Sequence, residues 1–163
     1  MKKPLYRYQH YDLWGAINLT RDAVLKVRSR ELMKCNLSVE QSGILYLLAV
    51  IDHEPTLTEV SMYLVKELHS LSKTVMRMEN LGLLKRAKDA KRKNVLRLSL
   101  TDEGRQAYTC ARNRESIEWI MSVLSEKEEQ QLTSCLNKIL NRALEQLGTN
   151  KLPHPSSQLE NKL

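Results

Sequence analysis

The fold of this chain is decided by the stretch His69-Ser70-Leu71-Ser72-Lys73-Thr74-Val75-Met76-Arg77-Met78-Glu79-Asn80-Leu81-Gly82-Leu83. Apolar side chains recur in it at Leu71, Val75 and Met78, which is the spacing of one face of an α-helix. The helix pattern stops at Gly82, and glycine is common at helix C-termini. The stretch therefore predicts an amphipathic helix over residues 70–81.

The other side of this predicted helix is polar and basic. At about 100° per residue, an inward apolar stripe turns the following side chains outward: Ser70, Lys73, Met76, Arg77 and Asn80, with Ser72 and Thr74 at the flanks. Lys and Arg donate to guanine O6 and N7, hydroxyls bond base edges or phosphates, and a methionine contacts a thymine methyl. We therefore expect Lys73 and Arg77 to contact DNA bases or phosphates, and Ser70, Ser72 and Thr74 to fix the register.

Three capping boxes mark the starts of other helices. In each, a Ser or Thr oxygen and a Glu or Gln side chain reciprocally satisfy free backbone N–H groups. The pairs are Ser38 with Gln41, Thr56 with Glu59, and Ser125 with Glu128. With the apolar spacing between them, they predict helices over about 11–33, 38–51, 56–65, 70–81, 101–124 and 126–147.

The residues after Gly82 predict a small β-wing of two to three strands. A short apolar run, Leu83-Leu84, is followed by a basic stretch and then by residues 95–100, in which apolar residues alternate. The basic side chains are Lys85, Arg86, Lys88, Lys91, Arg92, Lys93 and Arg97, opposed only by Asp89. This excess of six (seven minus one) nearly equals the net charge of +7 of the whole chain. The concentration of charge favours nucleic acid over a membrane surface as the partner.

Helix, turn, helix and basic hairpin is the order of a winged helix-turn-helix domain, in which the second helix enters the major groove. The sequence thus predicts a mainly α fold with a small β-wing. We expect an N-terminal dimerisation helix at 1–37, a DNA-binding lobe at 38–104, C-terminal dimerisation helices at 105–147 and a disordered tail at 148–163. The tail is polar, contains proline and lacks apolar periodicity.

Residues 57–104 resemble the MarR family of winged helix-turn-helix transcriptional regulators. The stretch His69 to Leu83 fits the pattern His-Ser-x-Ser-x-x-Val-x-Arg-Met-Glu-x-x-Gly-Leu, and Leu100-Thr101-Asp102-Glu103-Gly104 is similar to the family's Leu-Thr-x-x-Gly. The resemblance implies a homodimer, joined through its first and last helices, that binds double-stranded DNA at a pseudo-palindromic operator. It also implies a repressor that a small, often aromatic, effector releases from DNA.

The wing departs from that family at one position. Members usually carry Asp-x-Arg near the wing tip, where the Asp helps to orient an Arg that enters the minor groove. Counted back from Leu100-Thr101, these positions hold Arg92 and Asn94. Arg92 or a neighbour then either inserts in a different register or binds phosphate. We expect the wing, through Arg86, Lys88, Lys91, Arg92, Lys93 and Asn94, to contribute more to affinity than to specificity.

Aromatic residues outside the motif suggest a place for an effector. Tyr11 and Trp14 lie near the N-terminus, and Tyr46 lies on the predicted central helix. Amphipathic aromatic side chains line ligand pockets, and they also pack at subunit interfaces. Tyr11, Trp14 and Tyr46 are therefore candidates for an effector pocket, with interface packing as the alternative.

The three cysteines are widely separated and include no Cys-x-x-Cys pair, which argues against a disulfide framework and a zinc site. Cys35 near the end of the first helix is either a small buried hydrophobe or, by analogy with oxidation-sensing members of the family, a redox sensor. Cys110 and Cys135 fall on apolar seams.

The sequence predicts no enzyme, cofactor or metal, since it contains no catalytic constellation or glycine-rich phosphate loop. No run approaches the roughly 20 apolar residues of a membrane span, and the first residues lack the apolar core of a signal peptide. We therefore expect a cytoplasmic protein. The alternative to a DNA-binding regulator is a winged-helix module that binds another protein without sequence-specific DNA binding.

Overall fold

A computed structural model describes residues 9–92 and 94–148 of the chain. The elements in these residues are α1 (Gln9–Leu32), α2 (Val39–Val50), α3 (Leu57–Leu64), α4 (Leu68–Asn80), β1 (Leu84–Lys88), β2 (Leu96–Leu100), α5 (Asp102–Ala111), α6 (Glu115–Met121) and α7 (Glu126–Gln146). A 3-10 turn, Met33–Cys35, follows α1. The predicted mainly α fold with a small β-wing is confirmed.

Two of the predictions fall outside the described residues. These are the role of Lys93 and, apart from Gly148, the disordered tail at 148–163. None of the helices in residues 9–92 and 94–148 is long and apolar enough to cross a membrane. In the same ranges, His, Cys, Asp and Glu side chains form no group of three or more that could hold a metal ion.

The three predicted capping boxes are present. At the start of α2, the Gln41 amide donates to Ser38 Oγ at 3.2 Å, and the Gln41 side chain accepts from the Ser38 amide at 2.8 Å. The same reciprocal pairs form before α3 and α7. Short-range hydrogen bonds therefore set these three helix starts where the sequence predicts them.

The hydrophobic core is built around α2. Ile44 and Leu45 of this helix are fully buried, and Leu47 is nearly so. Residues of α1, α3, α4, both strands and α5 pack around them. This cluster includes Leu32, Leu37, Val60, Leu71, Val75, Met78, Leu84, Leu98 and Ala111. A helix that is apolar on nearly every side has to lie inside the fold, and α2 does.

The wing is a two-stranded antiparallel hairpin in which Leu84 pairs with Leu100 and Lys88 with Leu96. The sequence predicts two to three strands, and the structure has two, with an isolated bridge between Thr56 and Arg97 in place of a third. Beside this bridge, the Leu98 amide donates to the Pro55 carbonyl at 2.9 Å. These backbone contacts connect β2 to the residues that directly precede α3.

The prediction of one continuous helix over 101–124 is wrong, because the chain breaks between α5 and α6. The Arg28 guanidinium donates to the carbonyls of Ala111 and Asn113, the latter at 2.9 Å. Glu31 accepts from the Ser116 amide at 3.2 Å and from its hydroxyl at 2.5 Å. Arg28 of α1 thus provides a donor for backbone carbonyls at and after the end of α5, and Glu31 of α1 provides an acceptor for a backbone amide at the start of α6.

We call this contact of Arg28 and Glu31 with residues 111–116 the junction. Arg28 is buried and also pairs with Glu31. Burial opposes the charge of Glu31, but hydrogen bonds from Ser116 and Arg28 hold its pKa below the ordinary value. The junction therefore attaches α1 to both helices that follow the wing through buried and half-buried charge-assisted hydrogen bonds.

The expectation against a disulfide is wrong for one pair of cysteines. Cys35 and Cys110 are bonded, with their Cα atoms 6.0 Å apart, although 75 positions separate them in sequence. The fold brings the end of the 3-10 turn against the last turn of α5, a proximity that cysteine spacing does not encode. Cys135 is a free, exposed thiol.

Stability should depend on the glycine in the first turn of α5. A Cβ at Gly104 would lie 1.8 Å from the Leu83 carbonyl oxygen and 2.9 Å from its carbon. Because relief requires a backbone shift beside β1, we expect Gly104→Ala to lower the free energy of unfolding by about 3 kcal/mol in chemical denaturation.

The matched control is Gly43→Ala in α2, where a Cβ meets only the Leu64 side chain at 3.5 Å. Alanine favours a helix interior over glycine by up to about 1 kcal/mol, so this variant should be as stable as the parent or more so. Equal stability of the two variants would contradict the packing assigned to Gly104.

Candidate nucleic-acid interface

The orientation of α4 follows from its apolar stripe. Leu71, Val75 and Met78 are at most 1% exposed, so this side of the helix is locked against the core. The opposite side is open to solvent and carries the residues that we call the recognition face: Ser70, Lys73, Met76, Arg77 and Asn80. The predicted inward and outward sides of α4 are confirmed.

The two flanking hydroxyls lie at the edges of this face and are half-buried. Thr74 Oγ1 donates to Glu40 Oε2 at 2.7 Å, which ties α4 to the first turn of α2. Thr74 therefore holds the recognition helix in place, a role that the sequence did not suggest. The role of Ser72 in setting the register stays a prediction.

A tight turn joins α3 to α4. Val65 ends α3 with a φ of 50°, a conformation that β-branched residues rarely adopt, and the Lys66 amide donates to the Ser61 carbonyl at 2.9 Å. Helix α4 begins at Leu68, two residues before the predicted start. The turn is correspondingly shorter and leaves little freedom in the placement of α4 relative to α3.

The basic residues of the wing divide into two groups. Lys85, Lys88, Lys91 and Arg92 are exposed, as is Asn94, and no ion pair to a carboxylate is found for these four cations among the described residues. Arg86 and Arg97 are paired within the protein. The charge available to a polyanion is therefore smaller than the formal count of the wing.

Arg86 connects the wing to α4. Its Nε donates to Glu79 Oε2 at 2.7 Å, and its amide donates to Glu79 Oε1 at 3.3 Å. The hydrogen bond from Arg86 lowers the pKa of Glu79, and Glu79 in turn raises the pKa of Arg86. Both groups thus stay charged near neutral pH, and β1 is anchored to the last turn of the recognition helix.

Asp89 organises the turn of the wing. Its carboxylate accepts from the amides of Lys91 and Arg92, each at 2.8 Å, and from Arg97 Nε at 2.7 Å. Arg97 also donates to the Glu54 carbonyl at 3.0 Å, before α3. These bonds, led by the one from Arg97, lower the pKa of Asp89 to about 2. The wing turn is thus held by an anion in the middle of the basic stretch.

Counting back from Leu100-Thr101 misses Asp89, because this residue lies three positions before Arg92. The only signal for it in the sequence is that it is the single acid of the basic stretch. The side chain that donates to Asp89 is that of Arg97 on β2, whereas the exposed Arg92 donates to it through its backbone amide. The wing therefore has a carboxylate that orients the turn, but Arg92 keeps a side chain free of carboxylate partners.

The three aromatic candidates for an effector pocket are placed differently. The Tyr11 and Trp14 rings lie 5.1 Å apart, and both side chains are more than half exposed. Tyr46 is half-buried, and the Arg114 guanidinium lies 5.0 Å from its ring centroid. Arg114 was not among the candidates, since it belongs to the chain break before α6.

Neither the protein-family models nor the curated proteins match this chain. Solved structures do. The organohalide-sensing transcriptional regulator RdhR in its ligand-free form is 27% identical, covers 88% of this chain and 86% of its own, and superposes with a TM-score of 0.78. Its form bound to 2,4-dichlorophenol is 26% identical with a TM-score of 0.76, covering 88% of this chain and 90% of its own.

A mutant of E. coli MarR in complex with operator DNA has a TM-score of 0.70 at 19% identity, covering 78% of this chain and 93% of its own. At this identity the likeness concerns the fold. Several structural neighbours are described as transcriptional regulators of the MarR family, and others were solved with a bound ligand. The chain has a MarR-like winged-helix fold.

The Asp89–Arg97 contact should be visible in an NMR titration. A depressed pKa means that the contact stabilises the wing above the ordinary carboxyl pKa of 3.8 and is lost as the pH falls through about 2. We expect the Asp89 carboxyl to titrate near 2, and Arg97→Gln to raise this pKa because it removes the main charged donor.

Arg92→Gln is the matched control, because the Arg92 amide that Asp89 accepts from is retained. It should leave the titration of Asp89 nearly unchanged. A midpoint near 3.8 in the parent protein, or the same midpoint in the parent and in Arg97→Gln, would show that Asp89 does not hold the wing turn.

Proposed function

We propose that this chain, with its MarR-like winged-helix fold, is a sequence-specific double-stranded DNA-binding transcriptional regulator. The observation that carries the proposal is the exposed recognition face of α4 beside a wing in which four exposed cations have no carboxylate partner among the described residues. In a winged helix-turn-helix, that face enters the major groove while the wing lies over an adjacent groove or the backbone.

Base recognition is assigned to Lys73 and Arg77. Both are exposed on α4, one turn apart, and Arg can donate two parallel hydrogen bonds to guanine O6 and N7. Ser70 and Ser72 near the start of the helix are placed to bond phosphates or base edges, and Met76, which is 49% exposed, supplies an apolar contact for a thymine methyl.

Affinity is assigned largely to the wing. Phosphates are assigned to Lys85, Lys88, Lys91 and Arg92, which have no carboxylate partner in the part of the chain that the structure describes. Arg86 and Arg97 instead shape the wing through Glu79 and Asp89. Each neutralised phosphate adds about 0.9 to the slope of log affinity against log salt. These four cations should therefore contribute about 4 to this slope per protomer.

We further propose that the protein acts as a homodimer through α1 and α7. The apolar seam of α7 is open in a single chain: Leu132, Leu136, Ile139 and Leu140 are each 39–46% exposed. On α1, Leu13, Trp14 and Leu19 are more than half exposed. A second copy is the natural cover for such a long apolar seam. Two recognition helices then predict a pseudo-palindromic operator.

The proposed mode of action is repression that a small aromatic effector relieves. RdhR has been solved with 2,4-dichlorophenol and CouR from Rhodococcus jostii RHA1 with p-coumaroyl-CoA. In this chain, Tyr46 and Arg114 pair an aromatic ring with a cation between the DNA-binding lobe and the α5–α6 break. An anionic aromatic molecule has suitable partners there, with Tyr11 and Trp14 as further candidates.

The general test is a gel-shift titration with DNA that flanks the chain's own gene, since local regulators often control adjacent genes. Retardation that survives moderate salt and unrelated competitor DNA is the expected result. Binding that is sequence-blind and lost at moderate salt would instead favour a winged-helix module for another protein.

Arg77→Ala tests the recognition face. Loss of a bidentate base contact should weaken operator binding by about 1–3 kcal/mol and relax the sequence preference at one position in each half-site. Fluorescence anisotropy with operator variants measures both effects. Arg142→Ala removes the same charge from the exposed side of α7 and should leave affinity and preference unchanged. Equal operator affinity and sequence preference in the two variants would show that Arg77 does not contact the operator.

Ile139→Asp tests the dimer. A carboxylate at the centre of an apolar interface is costly to bury unpaired, so this variant should run as a monomer in size-exclusion chromatography with light scattering. Its helical circular dichroism should be kept, because Ile139 is 46% exposed in the single chain. Lys138→Glu, a charge reversal at the neighbouring exposed position, is the control. A dimer of unchanged stability in Ile139→Asp would contradict the assigned interface.

A further inference from the structure

We propose that Leu68 and Met76 on α4 each contact the 5-methyl group of a thymine, so that every operator half-site carries two thymines at fixed positions. The proposal rests on the proposed DNA-binding function and names the base chemistry that one edge of α4 recognises. It adds Leu68 to the residues that determine specificity. The sequence pattern leaves this residue before the predicted helix, whereas in the structure it is the first residue of α4.

Leu68 lies where a helix of this kind meets the bases. In a helix-turn-helix complex, the N-terminal residues of the second helix contact base edges in the major groove. Helix α4 starts with Leu68, and this large aliphatic side chain is 45% exposed. With α4 in the groove, the exposed part of Leu68 therefore meets DNA rather than water.

Met76 continues the same edge of α4. Residues four positions apart lie along one ridge of a helix, each turned by about 40° from the one before. Leu68, Ser72 and Met76 form such a ridge, and Met76 is 49% exposed. Lys73 and Arg77, both exposed, lie on the neighbouring ridge. Helix α4 thus carries an apolar ridge, interrupted by one hydroxyl, beside a ridge of hydrogen-bond donors.

Thymine is the base that suits the apolar ridge. In the major groove it presents its C5-methyl group, whereas the edges of adenine, guanine and cytosine present hydrogen-bond donors and acceptors. A polar edge that is covered by leucine or methionine loses its hydrogen bonds to water and gains none in return. Leu68 and Met76 should therefore select thymine, while Lys73 and Arg77 donate to guanine.

Helix geometry limits the distance between the two thymines. Met76 follows Leu68 by eight positions, which is about 12 Å at the rise of an α-helix. Successive base pairs lie about 3.4 Å apart along the duplex. The two methyl groups should therefore belong to base pairs about three or four positions apart within one half-site.

The size of each effect follows from the burial of one methyl group. Covering a methyl-sized apolar group with another apolar side chain strengthens binding by a factor of about four. Deoxyuridine lacks the 5-methyl group of thymidine but keeps its pairing with adenine and its hydrogen-bonding atoms. One such replacement at a contacted position should therefore weaken binding about fourfold.

The experiment uses the full chain and the duplexes that it selects from a random-sequence library. Each thymine of one selected half-site is replaced in turn by deoxyuridine, and affinity is measured by fluorescence anisotropy. The parent protein is compared with Leu68→Ala and Met76→Ala. Leu81→Ala is the matched control, because Leu81 is an apolar residue that is 60% exposed at the opposite end of α4.

Deoxyuridine should weaken binding of the parent protein at two positions, and each alanine variant should abolish one of these two effects. The reason is that the methyl group then has no side chain to contact. Leu81→Ala should keep both effects. Circular dichroism should show the same helix content in all variants, since the three side chains lie outside the buried core.

The absence of any deoxyuridine effect in the parent protein would overturn the proposal, even if the selected duplexes bind tightly. Effects that persist unchanged in Leu68→Ala and Met76→Ala would overturn it as well, and so would an effect that only Met76→Ala abolishes. A library from which no sequence is enriched would contradict the proposed function itself, and with it the recognition of thymine.

Discussion

The packing of Leu71, Val75 and Met78 against the core is the interaction on which the proposed DNA-binding surface depends. These three side chains fill one side of α4 and leave the other side to solvent. Exchanging any of them for a polar residue would leave the helix without a defined face toward the core. The apolar stripe sets the orientation of α4, and two polar contacts then fix the helix to its neighbours. Thr74 bonds Glu40 on α2, and Glu79 binds Arg86 on β1.

The wing shows why formal charge is a poor measure of a binding surface. Seven basic residues are crowded into a short stretch, yet Arg86 and Arg97 are held by carboxylates of the protein itself. These pairs have a structural role, because Glu79 ties the wing to α4 and Asp89 shapes its turn. The remaining exposed cations are thereby presented on a hairpin of defined geometry. In the proposed complex, affinity and positioning are thus assigned to different residues of one basic segment.

Local features of this fold could be predicted from the sequence, and long-range ones could not. The capping boxes and the stripe of α4 arise from residues three or four positions apart, and helix geometry alone determines their partners. The break after Ala111 depends on Arg28, and the bond of Cys110 depends on Cys35, in both cases across more than 70 positions. Asp89 was missed for a different reason, since it lies three positions before Arg92, the position at which the family pattern places its Asp. The Tyr46–Arg114 contact was likewise hidden by the unpredicted helix break.

In the proposed complex, α4 occupies the major groove of each half-site of a two-fold symmetric operator. Hydroxyl-radical and dimethyl-sulfate footprinting of the purified protein on DNA flanking its gene can test this placement. We expect two protected half-sites centred about one helical turn, or 10 base pairs, apart, with guanine N7 shielded in each at moderate salt. Uniform protection without half-sites, or protection that vanishes with unrelated competitor DNA, would contradict it.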